Sequence, residues 1–300
     1  MEKGISILLP THNCRCTQLV AELQRQCLLT HVPFEIIVAD DGSTDKQCIE
    51  ENKAIETLPG VRYIVRERNV GRAAIRNFLA SQARYDRLLF IDGDLKLDHS
   101  SFIDNYLRTP GDVVVGGIRI GGDPVKWKNN LRYRYEKACE KAHCAHNRQK
   151  NASRAFRTTN FLIRKQVFTD CPFDEKFTRY GYEDVLLGKD LQLKNISIVH
   201  IDNPITLDDF ESNDIFLNKT EESLCTLLHF KDRLKGYSSL LDFNEKLKRL
   251  HLIPFIGFLH SIFHNKLKQQ LLGNNPSVMG FNIYKLMYFI HLEIRQYRHD

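Results

Sequence analysis

The chain has 300 residues, 42% hydrophobic and 27% charged. That is long enough to bury a full core and unlike disordered or collagen-like compositions. Its formal net charge is +6, and the whole excess sits in the last 70 residues, where 11 basic residues face 5 acidic ones. No apolar run reaches the roughly 18–20 residues that cross a bilayer. No leader is expected after Met1-Glu2-Lys3, and eight cysteines are too few for a disulfide scaffold, so a cytoplasmic protein with reduced thiols is expected.

Short apolar runs alternate with helical patterns through the first half. Residues 5–9 (ISILL) predict a strand stopped at Pro10, and residues 16–29 a helix. Residues 34–39 predict a second strand ending in Asp40-Asp41-Gly42-Ser43, followed by a helix over 45–57 capped by Ser43 or Thr44. A third strand over 61–65, a helix over 71–83 and a fourth strand over 88–91 follow, the last ending in Asp92-Gly93-Asp94. This alternation predicts an α/β fold with a mostly parallel, Rossmann-like sheet.

The rhythm then changes. Residues 112–116 predict a strand closed by Gly116-Gly117, residues 126–150 a long basic, aromatic helix, and residues 158–163 and 196–200 further strands. From Asn213 the pattern is helical, with Pro254, Gly273 and Pro276 as breaks. Two regions are expected: a catalytic domain over 1–212 and a basic, aromatic-rich helical region over 213–300.

Ligands of open α/β sheets sit at the carboxyl ends of strands. Here three such ends carry Pro10-Thr11-His12-Asn13, Asp40-Asp41 and Asp92-x-Asp94. Carboxylates at 92 and 94 suit Mg²⁺ or Mn²⁺ held together with substrate phosphates. Alone, Asp-Gly-Asp would read as a surface turn; directly after an apolar strand it reads as a site. Asp40 or Asp41 could accept from a base N–H or a ribose hydroxyl. Gly71, opening a helix, could approach phosphate oxygens. Arg72 and Arg76 share one face of that helix, and at least one is expected at a nucleotide diphosphate. Cys139, His143, Cys144 and His146 lack the paired-cysteine spacing of a zinc site; their segment is expected to border an acceptor cleft or a partner.

The stretches ISILLPTHN (5–13), IIVADDGSTD (36–45), NVGRAAIRN (69–77) and LFIDGD (89–94), with FDEKF (173–177) before YGYED (180–184), are in one order and spacing. Together they resemble the motifs of family 2 glycosyltransferases with the GT-A fold, such as those of bacterial surface polysaccharides. The resemblance covers roughly residues 3–205. It implies a nucleotide-sugar donor, usually a UDP-sugar, a divalent cation on the D-x-D pair, and inversion at the anomeric carbon. It implies that Pro10, Thr11, Asn13 and Asp40 or Asp41 hold the nucleoside, with Arg76 nearby. Asp92 would face ribose or sugar beside Gly93, Asp94 the metal, and Gly116-Gly117 the sugar pocket. Asp184 matches the family's catalytic base, with Glu183 as an acceptor or sugar contact. Two departures stand out. His12 replaces a common aromatic residue, and no His follows the strand near residue 200, which leaves His200, at the strand's end, either as a substitute metal ligand or as a structural residue.

The sequence thus reads as an inverting, metal-dependent glycosyltransferase acting on a hydroxyl of a glycan or lipid-linked acceptor. Sugar-phosphate nucleotidyl transfer fits less well, because no Gly-rich basic loop follows the first strand. A silent nucleotide-sugar-binding module fits less well because both carboxylate pairs are intact. Residues 231–300 carry apolar blocks flanked by Lys and Arg. These suit helices lying on the inner face of a membrane, or a subdomain packed on the catalytic domain or on a second subunit of a homo-oligomer. No nucleic-acid motif accompanies the charge.

Overall fold

The computed structural model describes residues 2–296; Met1, Arg298 and Asp300 of the expectations above lie outside the described residues. The elements run β1 (Glu2–Thr11), α1 (Thr17–Thr30), β2 (Phe34–Asp40), α2 (Lys46–Lys53), β3 (Val61–Val65), α3 (Arg72–Gln82), β4 (Tyr85–Ile91), α4 (Phe102–Arg108), β5 (Val113–Val115) and β6 (Ile118–Ile120). Then follow α5 (Pro124–Trp127), α6 (Leu131–Cys139), α7 (Ala145–Gln149), β7 (Asn160–Arg164), α8 (Lys165–Asp170), α9 (Glu183–Leu193), β8 (Ile198–His200) and β9 (Ile205–Leu207). The C-terminal helices are α10 (Asn213–His229), α11 (Lys231–Leu234), α12 (Ser239–Arg249), α13 (Ile253–Leu272) and α14 (Val278–Gln296).

Seven strands form one sheet in the order β3-β2-β1-β4-β7-β5-β8. Only β7 runs antiparallel, between β4 and β5. A small parallel pair, β6 and β9, lies beside it. Alternation along β1 serves two faces: Leu8 joins the core under α3, while Ile7 and Leu9 join the core under α1 and α4. The strand order reverses between β1 and β4, which is where doubly wound sheets open a crevice at their carboxyl ends.

Three local expectations are corrected. The cap of α2 is Asp45, whose carboxylate accepts from the Gln47 and Cys48 amides, in place of Ser43 or Thr44. Residues 126–150 do not form one helix. Asn130 caps α6 by accepting from Tyr133 N–H, and Arg148 turns into the protein to donate to the carbonyls of Val115, Gly116 and Ile201. Burying that guanidinium requires the chain to break before α7. The break expected at Pro254 falls just before it, at residues 250–252, because Pro254 itself occupies the first turn of α13, where no N–H partner is lost.

The C-terminal helices are built into the molecule. Leu234, Leu241 and Phe289 are fully or nearly fully buried in the core shared with α3 and β4. Phe281 and Tyr284 of α14 pack with Leu131 of α6 and Leu217 of α10. Among the described residues no helix is long and apolar enough to cross a membrane. Truncation after residue 230 is therefore expected to give insoluble chain, because it uncovers core side chains worth roughly 2–5 kcal/mol each. The soluble fraction after expression checks this; a soluble, cooperatively unfolding 1–230 fragment would contradict it.

Candidate active site

The end of β4 and the start of α9 meet at a cleft of about 1020 Å³. One wall holds Asp92, Asp94, Glu183 and Asp184. Each is placed by its local chain. Asp92 and Asp94 follow β4, and the turn between them fits because residue 93 is glycine. A Cβ there would lie 2.5 Å from Thr11 Cγ2 and 3.1 Å from the Pro10 carbonyl oxygen. Gly93→Ala is expected to cost roughly 1–3 kcal/mol by overpacking and to weaken donor binding, read from the unfolding midpoint and a nucleotide titration. Glu183 and Asp184 open α9 directly after two left-handed residues, Gly181 (φ 94°) and Tyr182 (φ 69°). A tyrosine in that region is uncommon. The turn aims the first residues of α9, where carboxylates are favoured by the helix N-terminus, into the cleft.

The four carboxylates fall into two kinds. Arg76, 1% exposed, donates to Asp92 Oδ1 at 2.5 Å. Arg72 bridges the two pairs, with Nη2 3.3 Å from Asp92 Oδ2 and Nε 2.7 Å from Glu183 Oε1. Burial opposes the Asp92 charge, yet Arg76 and Arg72 hold its carboxyl below the ordinary range. Asp94 and Asp184, by contrast, form no salt bridge among the described residues. Desolvation in the cleft, added to the Asp92 charge, raises the Asp94 pKa. Desolvation and the neighbouring Glu183 raise that of Asp184, against the pull of Arg157. Asp184 Oδ1 accepts from the Val185 amide at 2.8 Å.

The structure redistributes several expected ligand contacts. Asp40 and Asp41 are buried, and their four oxygens accept from Ser43 N–H, the Tyr63 hydroxyl, Val70 N–H and Gly71 N–H at 2.7–3.0 Å. Asp41 thereby clamps the start of α3, while Asp40 ties the turn before α2 to β3. The Gly71 amide is thereby spent on Asp41 and Asn69, so it does not face a phosphate. Asn13 Oδ1 accepts from Thr44 and Asp45 N–H, tying the β1 end to the α2 turn. Thr11 is buried with its hydroxyl 3.3 Å from the Ala39 carbonyl, while Pro10 is half-buried at the strand end. Arg76 is buried, with its guanidinium on Asp92 and the Arg72 carbonyl.

Gly116 and Gly117 do not line the cleft. A Cβ on Gly116 would meet Asn203, Tyr106 and Asn160 within 2.5 Å, and one on Gly117 would meet Arg148. They let a buried polar knot close, and Ile118 is the residue that reaches the cavity.

His200 is likewise corrected as a metal ligand. Arg148 donates to its Nδ1 at 2.6 Å, so the proton sits on Nε2, which faces the Ala152 carbonyl at 2.9 Å. Burial lowers its pKa to about 4. The ring is neutral, but neither nitrogen has a free lone pair.

Other residues of the cleft carry no sequence signal. Arg157 faces Asp184 and Glu136, and their charges offset the cost of its burial. Arg132 lies near Asp94 and pairs with Glu211. The opposite wall comes from the C-terminal region, with Phe243 of α12 and Met279, Ile283 and Lys285 of α14. Burial lowers the Lys285 pKa to about 8. Tyr135, Cys139 and His143 of the neighbouring segment also line the cleft.

The donor set bears on a metal. Among the described residues no group of three or more His, Cys, Asp or Glu side chains is placed to hold an ion. What exists is one open carboxylate, Asp94, beside the arginine-held Asp92. That suits a hard divalent cation that takes one or two carboxylates and completes its sphere with substrate phosphate and water.

A mostly parallel sheet with acidic strand ends facing an arginine-bridged cleft defines the GT-A class of nucleotide-sugar transferases. The family model described as Glycosyl transferase family 2 matches residues 6–176, more than half of the chain, and the chain belongs to that family. A chondroitin synthase of Pasteurella multocida (strain Pm70) is 31% identical over 121 residues, which are 38% of this chain and 12% of that protein. An uncharacterized glycosyltransferase of Haemophilus influenzae is 34% identical over 92 residues, 30% of this chain and 36% of that one. The match thus spans well under two thirds of either relative. Among solved structures, S. aureus TarS 1–349 in complex with UDP has a TM-score of 0.50 at 18% identity, covering 98% of this chain and 91% of that one. Mannosyltransferase PcManGT from Pyrobaculum calidifontis, in complex with GDP-Man and Mn²⁺, has a TM-score of 0.54 at 12% identity, covering 98% and 87%. These two show the same fold.

Proposed function

We propose that the protein transfers a sugar from a nucleotide diphosphate donor, a UDP-sugar, to a hydroxyl of a glycan or lipid-linked acceptor of a bacterial surface polysaccharide, with inversion. The observation that carries this is the division of labour at the start of α9: Glu183 is held by Arg72, whereas Asp184 stands beside it with no salt bridge among the described residues. As the acceptor oxygen bonds to the anomeric carbon, its proton passes to Asp184 and the bond to the diphosphate breaks, its electron pair leaving with the nucleoside diphosphate. Arg72, 40% exposed, is placed to meet the diphosphate while it fixes Asp92 and Glu183. The nucleoside would lie along the strand ends at Pro10–Asn13. Asp94, with Asp92, would hold Mn²⁺ or Mg²⁺, which when bound neutralises charge on the leaving group. The solved neighbours were obtained with UDP and with GDP-Man and Mn²⁺, which supports a nucleotide-sugar donor.

The test is turnover across UDP-, GDP- and dTDP-sugars with and without Mn²⁺. Release of a nucleoside diphosphate, dependent on the cation, is expected. Release of pyrophosphate from a nucleoside triphosphate and a sugar phosphate would instead assign nucleotidyl transfer.

A further inference from the structure

Helix α13 has one face packed against α14. A Cβ on Gly257 would lie 2.6 Å from Ile294 Cδ1, and the His260 and His291 rings stack at 4.2 Å. In its first three turns the other face is bare and mostly apolar. Phe255 is 58% exposed, Phe258 60% and Ile262 53%, with Leu252 and Phe263 flanking them. Their spacing of three to four residues sets them in one stripe. A contiguous exposed apolar face of this kind marks an interaction surface.

The charge around the stripe identifies what covers it. Residues 253–272 contain no Asp or Glu. Lys246 and Arg249 precede the stripe, Lys266 follows it, all three are exposed, and none forms a salt bridge among the described residues. A two-fold contact between copies would bring these like charges together, whereas an anionic lipid surface neutralises them. The helix is not apolar enough to cross a bilayer, and an amphipathic helix with aromatic and basic residues lies in the headgroup boundary.

We infer that the bare face of α13 docks on an anionic bilayer, with Phe255, Phe258 and Ile262 inserted and Lys246, Arg249 and Lys266 at the headgroups. This does not rest on the donor chemistry. It concerns the same helical hairpin that supplies the acceptor wall, since α14 brings Met279 and Ile283 to the cleft. Docking would hold that wall beside the membrane.

The experiment is flotation of the full chain with phosphatidylcholine vesicles and with vesicles of 7:3 phosphatidylcholine to phosphatidylglycerol. At least tenfold tighter binding to the anionic vesicles, weakened by salt, is expected. A Phe255→Ser, Phe258→Ser, Ile262→Ser variant should lose at least tenfold of it with an unchanged unfolding midpoint, because these side chains face outward. Absence of binding, or undiminished binding by the triple variant, would overturn the inference. So would a wild-type dimer, seen by light scattering, that the triple variant dissolves, which would assign the face to a second copy.

Discussion

Asp184→Asn is expected to lower transfer by roughly 10²–10⁴-fold, the range supplied by a positioned general base, with the unfolding midpoint unchanged or slightly raised. Asparagine is nearly isosteric and its Oδ1 still accepts from the Val185 amide. It removes a desolvated carboxylate that stands beside Glu183, which offsets the loss of one of the two counter-charges of Arg157, the other being Glu136. What is lost is the ability to take a proton. The same environment fixes a pH dependence. A base works when deprotonated, and desolvation and Glu183 raise the Asp184 pKa from 3.8. The rate should therefore fall on acidification, with its midpoint above the ordinary aspartate range, and Asp184→Asn should abolish that limb along with turnover. Initial rates from acid to neutral pH, with circular dichroism melts of both proteins, check each part. Loss of activity together with loss of fold would contradict this role.

The second large effect separates two carboxylates that the sequence presents as a pair. Asp92→Asn leaves the Arg76 guanidinium, 1% exposed, without its counter-charge. Breaking a buried pair from one side typically costs about 3–5 kcal/mol. Asp94→Asn breaks no salt bridge and should change stability by no more than about 0.5 kcal/mol. Both should lose turnover, but only Asp94→Asn should do so in a fully folded protein. Metal-free denaturant unfolding distinguishes them. Equal destabilisation by the two substitutions would contradict the assignment of Asp92 to the arginine bridge and Asp94 to the open side of the site.

These contrasts also mark what was legible in the sequence. The strand–helix alternation up to Asp94 was, because β1, β2 and β4 carry aliphatic runs buried on both faces, β3 alternates buried with exposed residues, and each ends at a polar turn. Glu183 and Asp184 were found through the YGYED stretch, and the left-handed Gly181 and Tyr182 explain why that stretch places them where it does. The internal partners were not legible. Asp41 clamps amides 29 and 30 residues away, and Arg72 reaches Glu183 across 111 residues. Nothing local separates a carboxylate that binds a ligand from one that holds a loop. Gly116, Gly117 and His200 misled for the same reason: each serves Arg148, whose burial splits an otherwise helical segment. The contribution of the C-terminal region to the cleft was hidden because Phe243, Met279 and Ile283 are ordinary helix residues until α12 and α14 fold against it.

The +6 charge acquires a location on the same argument. It belongs to helices that complete the core, wall the cleft and leave one apolar face of α13 bare.

The central claim is that Asp184 takes the acceptor proton in a single inverting displacement from a nucleotide-sugar. It is tested most directly by following nucleoside diphosphate release and the anomeric configuration of the product together, in wild type and Asp184→Asn, with Mn²⁺ and the best donor. Inverted product formed by wild type and none by the folded variant is the predicted result. Retained configuration, or undiminished transfer by Asp184→Asn, would contradict it.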